Sequence, residues 1–461
     1  MYTYANLFSE NDLFLVPIFL VLIYFFGYIK RRKYDHTLIQ KYYFPALFLR
    51  MLFTVVYAMI IQLYYGRGDT HIYYHGILDM HDAVLNDFSL LKDIYFNTKL
   101  DYTHPIMPYF RYDQFGGYTW FVLNDSQNLM VSKVGLPFSF LFFNNYLCIS
   151  LAVSVFAFAG CWRLFRVFYY LYPQLRKKFA IGILFLPSIL FWGVGLSKDS
   201  ISIGALGFVA YAIYKIFVAR DKIIVSILLL IVNGWLILSI KPYILLSFML
   251  AVVIGIFVMI SSKIENKAMR AIATVFFITI AVSAGFYMTE SLASLTTTSA
   301  RFTSENILQT MQGVQSGFES IEKNGSYFKL GEVSNSISSL LLLFPAGVVA
   351  SLFRPFLWEI QSPLMLLSAV ESLLFLIITI MTLQRVGIGK TFRIIFSDPF
   401  LLFCFTFSIL FAGFVGITTL NFGALARYKT PCLSFYICML FIVMDKSGKF
   451  SKDYIFSKNF F

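Results

Sequence analysis

The sequence predicts an all-α, polytopic membrane protein, and three observations carry that reading. Of the 461 residues, 59% are hydrophobic and only 13% charged, against about a quarter charged in ordinary soluble domains. Apolar runs of roughly 18 residues or more recur from end to end, as a hydrocarbon core of about 30 Å demands of spanning helices. Basic clusters fall between these runs in regular alternation, the pattern by which membrane proteins set their orientation.

In order, the runs place spans near 13–29, 43–65, 146–165, 179–196, 200–218, 223–240, 243–262, 270–289, 363–384, 399–420 and 431–445. With 338–353 the total is about 11–12, in one integral-membrane domain covering 1–461. The first run begins near Leu13 and has no small-residue cleavage site after it, so it reads as an anchor. At 338–353 the centre is "LLLFPAGVVASLFRP", with Pro345 and Gly347 in mid-run. Irregular backbone at membrane depth is tolerated where protein or a wet cavity satisfies it. This stretch is therefore expected to re-enter or kink and return to the outer face; a full span, with one more in 291–336, is the alternative.

Clusters at 30–33, 176–178, 219–222, 263–270 and 384–393 and the tail from Lys446, with Lys41, Arg163, Arg166 and Lys215, hold 23 of the 37 basic residues, and only six of the 24 acids (Asp35, Asp221, Glu265, Asp398, Asp445 and Asp453) fall on the same side. That leaves +17 on one face and −4 on the other, Arg50 and Glu371 lying inside spans. The positive-inside rule puts the basic face in the cytoplasm of a bacterial inner membrane, the N-terminus in the periplasm and the C-terminus in the cytoplasm. The net charge of +13 is thus a topology signal, and nucleic acid is not needed as a partner. Two larger periplasmic loops result, 66–145 and 290–337; the second contains a stretch able to form an amphipathic helix. No Walker motif is present, which excludes a P-loop ATPase. The five cysteines have neither CxxC nor zinc-type spacing.

Candidate chemistry gathers at the outer ends of spans. "YYGRGDTHIYYHG" follows the second span and brings Arg67 and Asp69 to its boundary, flanked by Gly66 and Gly68. A carboxylate there meets a reduced dielectric, which raises its pKa and suits it to general-base work. His71, His75 and Asp79 follow at i+4 spacing and would share one helical face. They could hold a divalent metal ion or form a hydrated helix face. Further cations sit at other outer ends: Lys198, beside Asp199, in "PSILFWGVGLSKDS"; Lys241 in "SIKPYIL"; Arg354, with Glu359, in "FRPFLWE"; Arg427 and Lys429 in "GALARYKTP". One such residue is ordinarily a snorkelling anchor. Several, next to glycine and proline breaks, point to a converging site for phosphate.

These stretches resemble bacterial envelope-polysaccharide membrane proteins, namely GT-C-type glycosyltransferases and O-antigen or exopolysaccharide polymerases. The resemblance covers most of the chain as scattered short motifs, carried by "YYGRGDTHIYY", "LPSILFWGVGLSKDS", "LFRPFLWE" with "SAVES", and "ARYKTP". It implies a glycosyltransferase or repeat-unit polymerase that uses a polyprenyl-(pyro)phosphate-linked sugar or oligosaccharide at the periplasmic face. Asp69 would match the catalytic base, and Arg354 and Arg427 the pyrophosphate-binding arginines. Two departures are visible: the acidic loop follows the second span rather than the first, and the usual paired acids are reduced to Asp69, with Asp79 and Asp82 further on. Single transfer and polymerisation both stay open. A lipid-linked oligosaccharide flippase or another transporter is the alternative class, favoured by inverted repeats and charges deep inside spans; only Arg50 and Glu371 are candidates for the latter.

Overall fold

The computed structural model describes residues 6–96, 103–110, 126–261 and 337–448, together with scattered positions between 264 and 330. Among the described residues every regular element is a helix. Eight are long and apolar enough to cross a membrane, and a bent pair makes up to nine. The protein is an all-α, multi-pass membrane protein, as its composition predicts.

Helices α1 (Asp12–Tyr34) and α2 (Gln40–Tyr65) are the first two spans. The chain then folds outside them into α3 (Asp69–Asn86) and α4 (Ser126–Leu141). Met80, Ala83, Leu90, Ile94, Ile106 and Leu136 give this part a small apolar core. The first loop is therefore in good part a helical lobe, and the i+4 spacing of His71, His75 and Asp79 does lie on a helix.

Next comes the span α5 (Tyr146–Leu171), then a segment expected as one span at 179–196 that is not continuous. It breaks before Pro187, which opens the short helix α6 (Pro187–Trp192). Proline lacks the amide hydrogen and pushes the preceding residue out of helical geometry, and Leu186 is extended. The span α7 (Lys198–Ala219) follows. At one end of α5, Tyr146 shares a 2.8 Å hydrogen bond with Thr70, whose hydroxyl donates to Leu196 O at 2.9 Å. Near the other end, Arg166 reaches Tyr34 and Tyr211 hydroxyls, both at 3.3 Å. Helices α5 and α7 thus run parallel, so the broken segment between them must recross the bundle. Their crossing is glycine on glycine: a Cβ on Gly160 would lie 2.0 Å from Gly204 O, and one on Gly207 2.2 Å from Gly160 O. Small residues let helix backbones approach this closely in membranes.

The deep charges Arg50 and Glu371 belong to this broken segment. Arg50, 1% exposed, donates from Nη1 to Ile189 O (3.1 Å) and Gly193 O (2.7 Å) and from Nη2 to Cys161 Sγ (3.0 Å). Glu371 Oε2 accepts the Ser188 amide at 2.8 Å. A cation therefore closes the carbonyl end of α6 and a carboxylate its amide end, the arrangement that complements a helix dipole. Gly195 N donates to Ser154 Oγ, which also accepts from Thr54, so the turn after α6 is tied to α2 and α5.

Spans α8 (Ile223–Ile240) and α9 (Pro242–Ser261) form an antiparallel pair broken at Lys241–Pro242. The expected span at 270–289 lies largely, and the loop 290–337 almost wholly, outside the described residues. Helix α10 (Ile337–Phe353) continues through Pro345, where a kink or re-entry was expected. It seats Gly347 against Gly413 and Gly416, a Cβ on Gly416 meeting Gly347 O at 1.9 Å. Then come the spans α11 (Pro363–Val386) and α12 (Pro399–Thr418), and the pair α13 (Phe422–Tyr428) and α14 (Thr430–Lys446), bent by 62°.

Contacts sort the charges onto two ends. Leu7 N bonds to Gln62, and Asn145 to Asp12, so the N-terminal residues share the end that carries Asp69. At the opposite end Tyr172 and Lys446 hold Asp398, and Gln174 holds Asp445. Among the described residues, the basic segments around Arg176, Lys390 and Lys446 therefore share one end. Fewer spans are seen than the expected 11–12 because one is broken, one falls largely outside the described residues and α10 is shorter than a full span.

Candidate functional site

At the Asp69 end, four charged side chains from four separate segments form a continuous chain. Asp199 lies in the first turn of α7, whose N-cap, Ser197, accepts the Ser200 amide. Its carboxylate, 1% exposed, is held by Lys241 Nζ on one oxygen and by Arg427 Nε on the other. Lys241 sits at the break between α8 and α9 with its ammonium 4.5 Å from the centre of the Tyr428 ring. Arg427, in the last turn of α13, extends outward, and its Nη1 donates to Asp69 Oδ2 at 2.7 Å. Asp69 opens α3, and its side chain is 52% exposed.

The order runs from solvent inward: Asp69, Arg427, Asp199, Lys241. Two acids balance two bases, which is how a buried ionic group avoids an uncompensated charge. Lys198 is half-buried and close enough to Asp69 to stabilise its charge. Arg67 stands in the exposed turn before Asp69. That turn uses Gly66 at φ +68°, a left-handed conformation that favours glycine; Gly68 is merely extended.

Two expectations change here. The reduced dielectric was expected to raise the Asp69 pKa. Burial does push the carboxyl up, but the Arg427 guanidinium outweighs it by charge and by hydrogen bond, and Lys198 assists. Asp69 is held below the ordinary carboxylate value and, while so paired, is a weak base. The cations, moreover, do not converge bare on a vacant anion site. Lys241 and Arg427 share Asp199, and Arg354 binds Glu359 through Nε (3.0 and 3.2 Å) and Nη2.

The Arg354–Glu359 pair forms a second station on the same end. The guanidinium carbon lies 4.3 Å from the Phe328 ring centre and 5.1 Å from that of Phe422. Phe422 begins α13 and Arg427 lies five residues on, about 7.5 Å of helix rise away. Lys429 ties them together: its ammonium donates to Arg354 O at 2.9 Å and to Ser372 Oγ at 2.8 Å. Glu371, adjacent to Ser372, has one carboxylate oxygen, Oε1, buried without a hydrogen-bond partner.

Among the described residues no group of three His, Cys, Asp or Glu side chains is placed to share an ion, so His71, His75 and Asp79 stay a helix face. The reason is local: His71 is buried with its Nε2 on Gln62 Oε1 at 3.0 Å. Burial, then the neighbouring His75, lowers the His71 pKa to about 4 despite a backbone contact at Gly68. It is a neutral packing residue at neutral pH.

Ser372 and Tyr428 escape notice in the sequence, since one looks like an ordinary span serine and the other like an interfacial aromatic. The break motifs around Pro187, Pro242 and Pro431 do mark where the site residues lie, but nothing in them says which acid meets which base. Comparison of the chain with family models, curated proteins and solved structures returned no match.

Proposed function

We propose that the chain is a membrane glycosyltransferase or polysaccharide repeat-unit polymerase. Its donor would be a sugar or oligosaccharide carried on a polyprenyl phosphate or pyrophosphate. The observation that carries this reading is the contact between Arg427, anchored from behind by Asp199 and Lys241, and the half-exposed Asp69 at the mouth of a transmembrane bundle. In the reaction, an acceptor hydroxyl oxygen attacks the anomeric carbon and the bond to the phosphate oxygen breaks. Asp69 takes the hydroxyl proton and Arg427 the charge of the departing phosphate. Because the donor is already activated, no nucleotide is consumed at this step. The charge bias supports a bacterial inner-membrane placement with the Asp69 end and the N-terminus in the periplasm and the C-terminus in the cytoplasm.

The test is transfer from a prenyl-pyrophosphate-linked sugar by the purified chain. Arg427→Ala and Asp69→Asn should each lose transfer by about 10²-fold or more, and lipid-linked substrate should accumulate in cells carrying Asp69→Asn. Normal product from both variants would sink the reading.

A second reading, a lipid-linked oligosaccharide flippase or other transporter, is favoured by the discontinuous segment around α6, since broken helices frame transport sites. Against it, Arg50 and one oxygen of Glu371 are already engaged in closing the ends of that helix. Proteoliposomes that translocate the lipid-linked sugar without transferring it would decide for the transporter.

A further inference from the structure

The two carboxylates on Arg427 are not equivalent. Asp199 is buried and bound by two cations, whereas Asp69 is half-exposed and accepts a 2.7 Å hydrogen bond from Arg427 Nη1. Arg427 presents five N–H donors in a fixed fork; Asp199 occupies Nε and Asp69 one terminal nitrogen, so the outward edge of the fork is the part Asp69 covers. A planar guanidinium edge is well matched to a phosphate oxyanion. Lys198 lies within electrostatic reach of the same carboxylate, and Arg67 two residues before it. Asp69 sits at the junction of the turn 66–68 and α3 and meets Arg427 on a different nitrogen from the buried Asp199, which Lys241 holds from behind.

We propose that Asp69 is a built-in competitor anion: it occupies the outer edge of Arg427 until a phosphate or pyrophosphate oxyanion takes its place. Displacement does two things at once. It hands the cation to the incoming anion, and it frees the Asp69 carboxylate from the partner that suppresses its basicity. The inference rests on the donor reading above, because the exchange would couple donor binding to activation of the base. The carboxylate is then weak in the empty site and competent only when the phosphate is seated, with no loss or gain of atoms beyond the exchange of one ion-pair partner.

The experiment compares anion binding by the purified full chain in detergent with its Asp69→Asn, Asp69→Ala and Arg427→Gln variants. Titration calorimetry with inorganic pyrophosphate and with farnesyl pyrophosphate provides the readout. Removing a competing carboxylate of this kind should tighten binding by about 2–5-fold, equivalent to about 0.4–1 kcal/mol. Both Asp69 variants should show it, and Arg427→Gln should lose binding. Binding by the Asp69 variants where wild type shows none also supports the exchange. If wild type binds a probe and neither Asp69 variant binds it more tightly, the competitor role is overturned while the anion site stands. If only inorganic pyrophosphate is bound, with tightening, the competitor role stands and the lipid-linked donor falls. If neither wild type nor the Asp69 variants bind either probe, both fall. Asp69 is a half-exposed helix-start residue, so its variants should fold; Arg427→Lys provides a milder check on the arginine.

Discussion

Replacing Asp199 by Asn removes the negative centre of the buried charge chain while keeping the shape of the side chain. Lys241 is then buried with no carboxylate, and Arg427 keeps only the half-exposed Asp69. Breaking a buried ion pair from one side costs about 3–5 kcal/mol, because it strands a charge away from water. With an unfolding entropy of about 2.1 cal/mol/K per residue, a chain of 461 residues has roughly 1 kcal/mol/K, so that cost lowers the melting temperature by about 3–5 °C. The assay is a fluorescence-monitored thermal melt in detergent at neutral pH. The double variant Asp199→Asn/Lys241→Gln removes the stranded ammonium as well and should recover about half of the loss. A single variant that melts within 1 °C of wild type, or a double variant that melts no higher than the single, would refute the view that the buried Asp199 holds Lys241 and Arg427.

Acid sensitivity should trace in part to His71. Its folded pKa is depressed to about 4, so between an unfolded value of about 6.5 and pH 4 the unfolded chain binds more protons. Its neutral state favours folding fully above about pH 6.5, and that advantage is lost as pH falls toward 4, by at most about 3 kcal/mol; His71→Gln should flatten melting temperature against pH across that window. Gly160→Ala should force α5 and α7 apart, since the new methyl meets Gly204 O at 2.0 Å; a destabilisation of about 1–3 kcal/mol or more is expected in the same melt. Arg50→Met leaves the Gly193 carbonyl buried without its side-chain partner, Ile189 O keeping the Gly193 amide, and a loss of about 1–3 kcal/mol should appear. Reporter fusions after Arg67 and after Lys390 should lie on opposite sides of the membrane, and agreement between them would overturn the two-ended charge arrangement.

Composition and run length are enough to specify a helical, many-span membrane protein, because a bilayer leaves the backbone almost no other way to satisfy its polar groups. The basic clusters likewise identify one face without any knowledge of contacts, since each acts locally on its own loop. Even the outer-end motifs are legible: Asp69, Asp199, Lys241 and Arg427 all stand at visible span boundaries, within four residues of a glycine or proline. What their sequence positions could not reveal is the pairing. Asp69 and Arg427 are 358 positions apart and Asp199 and Arg427 are 228 apart. Only the packing of α3, α7 and α13 around one end brings them into contact. That contact reverses the sign of the Asp69 shift, because a guanidinium at hydrogen-bond distance outweighs the desolvation that a boundary position alone suggests. The same holds for Arg50 and Glu371, which look like transport charges when read along the chain. Tertiary structure sets them at the two ends of a six-residue helix, where the polar groups left by a broken span need partners that no local sequence could supply.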